Sequence, residues 1–217
     1  MPYEQRERAR MQRIVIHPLA VRFAHWLNAV AIVVMVMSGW GIYNASPLFG
    51  FRFPPWATLG GWLGGAIAWH LAMLWVLVAN GALYVAYGLL SGRFARMFLP
   101  PTPRQVWHDL VSALSLRLSH RVGTYNAVQR LAYVGVLTLG VVAVLSGLAL
   151  WKPVQLQTLA SLLGGYEVVR RIHFLAMAGI VSFVVLHLTL VALVPSTLLA
   201  MLTGRAHEPV AGADVSR

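Results

Sequence analysis

Residues 172–194 read IHFLAMAGIVSFVVLHLTLVALV and contain no Asp, Glu, Lys or Arg. A helix of about 20 predominantly apolar residues crosses the hydrocarbon core of a bilayer. Three more charge-free stretches of similar length are Phe23–Tyr43, Ile67–Leu90 and Leu131–Trp151. The sequence therefore predicts an all-α membrane protein, a four-helix transmembrane bundle whose spans cover about 20–43, 63–90, 128–151 and 168–194.

The composition of the whole chain agrees with a membrane protein. Of its 217 residues, 59% are hydrophobic and 11% are charged, whereas about a quarter of the residues of a soluble domain are charged. The chain has no cysteine, which excludes disulfides, iron–sulfur clusters and c-type haem attachment. We expect one integral-membrane domain over residues 1–217, with a loose tail at 206–217.

The basic residues predict how the bundle is oriented. Most of the 17 Lys and Arg residues lie before the first span, between the second and third, or after the fourth. Cytoplasmic loops carry such an excess of positive charge, so both termini and loop 91–127 are predicted to be cytoplasmic. Loops 44–66 and 152–171 then face outward. Basic residues that flank spans are not the clustered patch of a nucleic-acid-binding protein.

Four histidines are the ionisable side chains, tyrosines aside, inside the spans: His25, His70, His173 and His187. Ionisable groups in a membrane are costly and indicate function by default. His25 and His187 match in depth near the cytoplasmic ends of their helices and are called the inner pair. His70 and His173 match near the outward ends and are called the outer pair. Residues 173 and 187 lie about 21 Å apart along one helix and within about 40° of one face.

Paired imidazoles at two depths favour two haem groups, because a haem iron takes one axial histidine on each side of the flat macrocycle. The sequence predicts two bis-His, low-spin haem b groups, one at each pair, with His17 and His120 as rival ligands. A lone intramembrane histidine would more often hydrogen-bond to a neighbouring helix. A proton relay would also contain Asp or Glu, and a metal transporter would offer carboxylate, Met or Cys ligands.

Further residues near the histidines are candidates for a supporting role. Arg22, one turn from His25, and Arg170 and Arg171, just before His173, could neutralise haem propionates, since arginine pairs well with carboxylates. The alternative is that these arginines only set topology or extend to the membrane surface. The first span ends MSGWGIY and the third ends LSGLALW. This shared Ser-Gly step suits close helix packing, although chance similarity explains it nearly as well.

The segment Arg22-Phe23-Ala24-His25-Trp26-Leu27-Asn28, with Ser38-Gly39 near the end of the same span, resembles the bacterial cytochrome b561 family. That family includes the b-type subunits of nickel–iron hydrogenases and is similar to the formate dehydrogenase gamma subunit. The resemblance covers roughly residues 14–205. It implies a multi-pass protein of the bacterial inner membrane with two b haems ligated from the first, second and fourth helices. His70, His173 and His187 fit that pattern.

The resemblance also implies a role in the respiratory chain. Such subunits pass electrons between a periplasmic redox partner, of the molybdopterin oxidoreductase or hydrogenase type, and membrane quinone. By the same analogy, a quinone is expected beside the inner haem, near Arg22, Asn28 and His187. An electron-transfer subunit is favoured over a self-contained enzyme. Two alternatives stay open: a stand-alone superoxide:quinone oxidoreductase, and a haem-free transporter or assembly factor.

Overall fold

The computed structural model describes residues 11–92 and 127–209, and for 11–15, 127–129 and 206–209 it describes the backbone alone. Most of loop 91–127, the end of the predicted tail and His120 lie outside these residues. The described elements in chain order are β1 (Met11–Val15), α1 (Leu19–Ala45), α2 (Leu63–Leu90), α3 (Ala127–Trp151), α4 (Gln157–Leu162), α5 (Tyr166–Leu193), α6 (Pro195–Thr203) and β2 (Arg205–Pro209).

Four of these helices, α1, α2, α3 and α5, are long and apolar enough to cross a membrane. They confirm the predicted all-α four-helix membrane fold. The ends of α2 match the predicted bounds, and the ends of the other three spans lie within two residues of them. At α5, for example, Gly164 and Gly165 have φ values of 96° and 88°. Glycine adopts this conformation readily, so the chain turns here between the end of α4 at Leu162 and the start of α5 at Tyr166. The predicted start of this span is residue 168.

The bundle consists of two helix hairpins. In one hairpin α1 packs along α2, and in the other α3 packs along α5, whereas contacts between the hairpins are sparse. Small residues let membrane helices approach closely. The buried side chains of the spans are accordingly mostly small, among them Ala24, Ala31, Ser38, Ala66, Ser146, Ala149 and Ala176.

A short antiparallel strand pair joins the two described ends of the chain, with Met11 opposite Pro209 and Val15 opposite Arg205. Gly204 forms the turn before β2, with a φ of 78°, and its carbonyl accepts the backbone N–H of Ile16 and of His17. The segment Arg205–Pro209 has no alternating apolar pattern that would predict a strand. The pairing places both ends of the described chain at the same end of the bundle.

The loop between α1 and α2 is an ordered turn held by side chains of α1. The amide of Asn44 donates to the carbonyl of Phe53 at 2.8 Å and accepts its N–H at 2.9 Å. Trp40 stacks on Phe53, with ring centroids 4.4 Å apart, and Tyr43 contacts Phe174 of α5. These aromatic contacts join α1, the loop and α5 at the end of the bundle that holds the outer pair.

Candidate haem-binding site

In each of the two histidine pairs predicted from the sequence, the two imidazole rings face each other across the gap between the hairpins. In the inner pair, the ring centroids of His25 on α1 and His187 on α5 are 6.1 Å apart, with an interplanar angle of 65°. In the outer pair, those of His70 on α2 and His173 on α5 are 6.2 Å apart, with an angle of 72°. Each pair therefore takes one ring from each hairpin, and α5 supplies one ring to each pair.

These separations fit a metal between two imidazoles. An imidazole nitrogen binds a metal at about 2.0 Å, and the ring centre lies about 1.1 Å behind it, so opposed rings have centres about 6.2 Å apart. In the described part of the chain no group of three or more His, Cys, Asp or Glu side chains could hold a metal ion. Two ligands alone suit a metal that brings its other ligands with it, as haem iron does.

The rings of the outer pair are held in the same way by two different helices. The Nδ1 atom of His70 lies 3.0 Å from the Met35 carbonyl oxygen and 3.1 Å from Ser38 Oγ. The Nδ1 atom of His173 lies 3.0 Å from the Ala143 carbonyl oxygen and 3.0 Å from Ser146 Oγ. A carbonyl can only accept, so each Nδ1 carries the proton.

That proton position leaves Nε2 of both outer rings with a free lone pair, the form in which histidine binds a metal. The Nδ1–H bond also orients the ring, as the outer hydrogen bond of a metal-binding histidine does. The chemistry of the outer pair therefore fits two axial ligands.

Two glycines allow the outer rings to lie directly against helix backbone. A Cβ atom added at Gly39 would lie 3.3 Å from Cε1 of His70, and one added at Gly147 would lie 3.0 Å from Cε1 of His173. Both distances are below the optimum of about 3.5–4.0 Å between carbon atoms. By contrast, a Cβ at Gly140 would meet nothing within 4 Å. The repeated Ser-Gly step thus places a serine and a glycine against each outer histidine.

The inner pair has different surroundings. The rings of His25 and Trp26 meet edge to face, with centroids 5.4 Å apart. The rings of His187 and Phe183 are stacked, with centroids 6.0 Å apart and an interplanar angle of 9°. Within residues 11–92 and 127–209, the inner rings have aromatic neighbours where the outer rings have hydrogen-bond acceptors. The two layers therefore offer different environments to whatever the histidines bind.

Two of the three arginines singled out in the sequence, Arg22 and Arg170, have hydrogen-bond partners among the described residues. Arg22 donates through Nε to the Met201 carbonyl at 3.0 Å, near the end of α6, where a cation is favourable. Arg170 binds Glu167 at 3.2 Å and the Ser46 carbonyl at 2.7 Å. Arg171 is exposed near the start of α5. Contacts of these residues with propionates remain a prediction.

Asn28, predicted to lie near a quinone, takes part in a contact between α1 and α2. Asn80 Nδ2 donates to Asn28 Oδ1 at 2.7 Å and to the Ala24 carbonyl at 2.8 Å. Asn80 is itself buried. These bonds join the two helices of the first hairpin, as polar side chains often do inside membranes.

One candidate residue, Trp40, was not singled out by the sequence. Its Nε1 is the one buried side-chain nitrogen or oxygen without a hydrogen-bond partner among the described residues. Trp40 follows Gly39, which packs against His70, and its ring stacks on Phe53 of the loop at the same end of the bundle. A buried N–H without an acceptor costs about 1–3 kcal/mol of stability. A carboxylate of a bound group would therefore be a favourable acceptor for Nε1. Trp near a membrane surface is common, so the sequence carried no specific signal for this role.

A four-helix membrane bundle with facing histidine pairs is the architecture of a membrane-bound b-type cytochrome. Residues 16–204 match the sequence model of the family described as prokaryotic cytochrome b561, and the chain belongs to this family. The predicted family is thus confirmed. As a member, the protein is an integral inner-membrane protein that binds b-type haem and takes part in electron transfer.

A relative from Azospira oryzae (strain ATCC BAA-33 / DSM 13638 / PS) is 51% identical over 190 residues, which are 87% of this chain and 96% of the relative. That protein is named "Putative protein-methionine-sulfoxide reductase subunit YedZ1". The two proteins are therefore similar over most of their lengths.

Proposed function

We propose that this protein is a di-haem membrane subunit that carries electrons from quinol to a methionine-sulfoxide reductase on the outward side of the membrane. The observation that carries the proposal is the pair of facing imidazoles at each of two depths, with ring centroids 6.1 and 6.2 Å apart. The name of the Azospira relative supports the choice of partner. When bound, the haem irons supply one-electron transfer, which the side chains of the bundle do not perform.

Each histidine has a defined part in this proposal. His25 and His187 hold the inner haem iron, and His70 and His173 hold the outer one. Gly39 and Gly147 keep the space that lets the outer rings pack against α1 and α3. Because both sites use α5, the 14-residue spacing of His173 and His187 would set the two sites about 21 Å apart along that helix.

The quinone is proposed to bind beside the inner pair, near Arg22, Asn28 and His187. Within the described residues, Arg22 uses its Nε for Met201 and Asn28 its Oδ1 for Asn80. Other N–H groups of these two side chains can then donate to a quinone carbonyl. Oxidation of a quinol releases two electrons and two protons, which is what reduction of one sulfoxide to a thioether and water consumes.

The partner is proposed to dock on the face formed by the outward loops. Arg52, Lys152 and Arg171 are exposed on these loops or beside them, so the face suits an acidic patch on a redox subunit. Complementary charge mainly speeds the encounter of two proteins. We therefore expect electron transfer to the partner to slow as ionic strength rises.

The first test is a reduced-minus-oxidised optical spectrum of the purified protein, with the haem-to-protein ratio. We expect sharp low-spin b-type bands and two haems per chain in the wild type. His70→Ala and His25→Ala should each retain one haem, and His17→Ala should retain both. A wild-type ratio of one would remove a histidine pair from the proposal. A colourless protein from haem-replete cells would favour the alternative hypothesis of a haem-free transporter or assembly factor.

A second test addresses direction and partner. A soluble quinol analogue should reduce the haems of the purified protein under anaerobic conditions. In the native host, deletion of the gene for this protein should abolish quinol-dependent repair of oxidised methionine in periplasmic proteins. Expression of the wild-type protein should restore this repair, and expression of the His70→Ala variant should not. Quinone reduction by the purified protein when it is given superoxide, without any partner, would instead favour the stand-alone oxidoreductase.

A further inference from the structure

Two serines occupy matching positions against the outer histidines. Ser38 on α1 and Ser146 on α3 are both fully buried, with 0% exposure. Each lies one residue before the glycine that packs against a histidine ring. Their hydroxyl oxygens are 3.1 Å from Nδ1 of His70 and 3.0 Å from Nδ1 of His173. The two hairpins therefore repeat the same local arrangement, although their sequences differ around the Ser-Gly step.

The direction of these hydrogen bonds follows from the other partners of each serine. Ser38 Oγ is 2.6 Å from the Val34 carbonyl, and Ser146 Oγ is 2.6 Å from the Val142 carbonyl. A carbonyl only accepts, so each hydroxyl proton is directed to the backbone. The lone pairs of the hydroxyl then face Nδ1–H of the histidine. Each Nδ1–H is shared between this oxygen and the carbonyl of Met35 or Ala143.

Two acceptors on one Nδ1–H draw the proton away from the ring. The imidazole then gains negative character and becomes a stronger ligand through Nε2. A stronger donor stabilises the more positive, oxidised metal, which lowers its reduction potential. Both outer rings have this arrangement, whereas His25 and His187 have Trp26 and Phe183 as their ring neighbours.

We propose that Ser38 and Ser146 are paired positioning residues that orient His70 and His173 and lower the reduction potential of the outer haem. This inference rests on the proposed function, because it requires a haem at the outer pair. A lower potential makes the outer haem a stronger reductant toward a partner on the outward face. In the described part of the chain, His25 and His187 have aromatic neighbours and no serine hydrogen bond of this kind, so we expect these serines to leave the inner haem unaffected.

The test uses Ser38→Ala, Ser146→Ala and the double variant in the full-length protein. Spectra recorded during potentiometric titration give one midpoint for each haem, and the outer haem is the signal that His70→Ala removes. We expect both haems to be retained. The outer midpoint should rise in each single variant and rise further in the double variant. A total change of about tenfold in the one-electron equilibrium corresponds to about 59 mV. The inner midpoint should not move.

The matched control is Ser182→Ala on α5. The Ser182 hydroxyl donates to the Ala178 carbonyl four residues earlier at 2.9 Å but lies on an exposed face. This substitution removes the same kind of backbone hydrogen bond without touching a histidine. It should leave both midpoints and the low-spin electron paramagnetic resonance signals unchanged, whereas the signals of the outer haem should shift in the Ser38 and Ser146 variants.

The possible outcomes separate this inference from the proposed function. Two retained haems with unchanged outer midpoint and spectrum in the double variant would overturn the role of the serines alone. Absence of an outer haem from the wild type would overturn the proposed function itself. If an alanine variant loses the outer haem, Ser38→Thr or Ser146→Thr keeps the hydroxyl and should restore it at the wild-type potential. Failure to restore it would overturn the inference.

Discussion

Gly147→Ala should displace His173 and weaken binding at the outer pair. The new Cβ would lie 3.0 Å from Cε1 and 3.5 Å from Nδ1 of His173. Since carbon atoms pack best at about 3.5–4.0 Å, the ring must retreat by roughly 0.5 Å or more. That movement stretches the 3.0 Å bonds from Nδ1 to Ala143 and Ser146. Overpacking of this kind costs about 1–3 kcal/mol.

The cost converts to a loss of haem affinity of roughly 5- to 150-fold, since 1.4 kcal/mol is a factor of ten. The assay is the haem-to-protein ratio during haem titration of the purified protein, together with the midpoint of each haem. We expect loss of the outer haem signal and an intact inner one. Gly39→Ala should have a milder effect of the same kind, because its Cβ would lie 3.3 Å from the His70 ring.

The control for this prediction is Gly140→Ala on the same helix, where a Cβ meets nothing within 4 Å. Alanine has a higher helix propensity than glycine by about 1 kcal/mol in water, so this variant should bind both haems and unfold no more easily than the wild type. Two haems with wild-type midpoints in Gly147→Ala would refute the reasoning. Equal loss of haem in both variants would refute it as well, because the effect would then belong to α3 and not to the His173 contact.

Two further substitutions test the polar contacts around the pairs. Asn80→Leu removes the bonds to Asn28 and to the Ala24 carbonyl; it should lower resistance to unfolding in detergent by about 0.6–1.7 kcal/mol per bond, and unchanged stability would contradict this. Trp40→Phe keeps an aromatic ring to stack on Phe53 but removes the orphaned Nε1–H. It should weaken outer haem binding several-fold in a haem titration without lowering the unfolding temperature, and unaltered affinity would exclude this donor role.

The internal repeat illustrates how a weak pattern gains meaning from its neighbours. As letters, Ser38-Gly39 and Ser146-Gly147 are a two-residue similarity between apolar helices, explained about as well by chance as by packing. In the structure each step faces the histidine of the next membrane span, through the serine hydroxyl and through the glycine, whose lack of a Cβ leaves room for the ring. The similarity therefore marks the same contact made once in each hairpin.

The sequence by itself determined the four spans and the four histidines within them. A bilayer demands long apolar stretches, and any ionisable group inside one stands out against them. The helical repeat then placed His173 and His187 on nearly one face of α5. These features are local or periodic, so they can be seen without knowing which helices touch.

Only the tertiary structure decided which side chains meet. Arg22 bonds to Met201, 179 positions away, where the sequence offered a propionate or a quinone. The pairing of β1 with β2 and the orphaned nitrogen of Trp40 are equally invisible in local pattern. A hydrogen bond depends on a few tenths of an ångström between residues that are distant in the chain. Composition and periodicity carry no information on that distance, because it is set by the packing of whole helices.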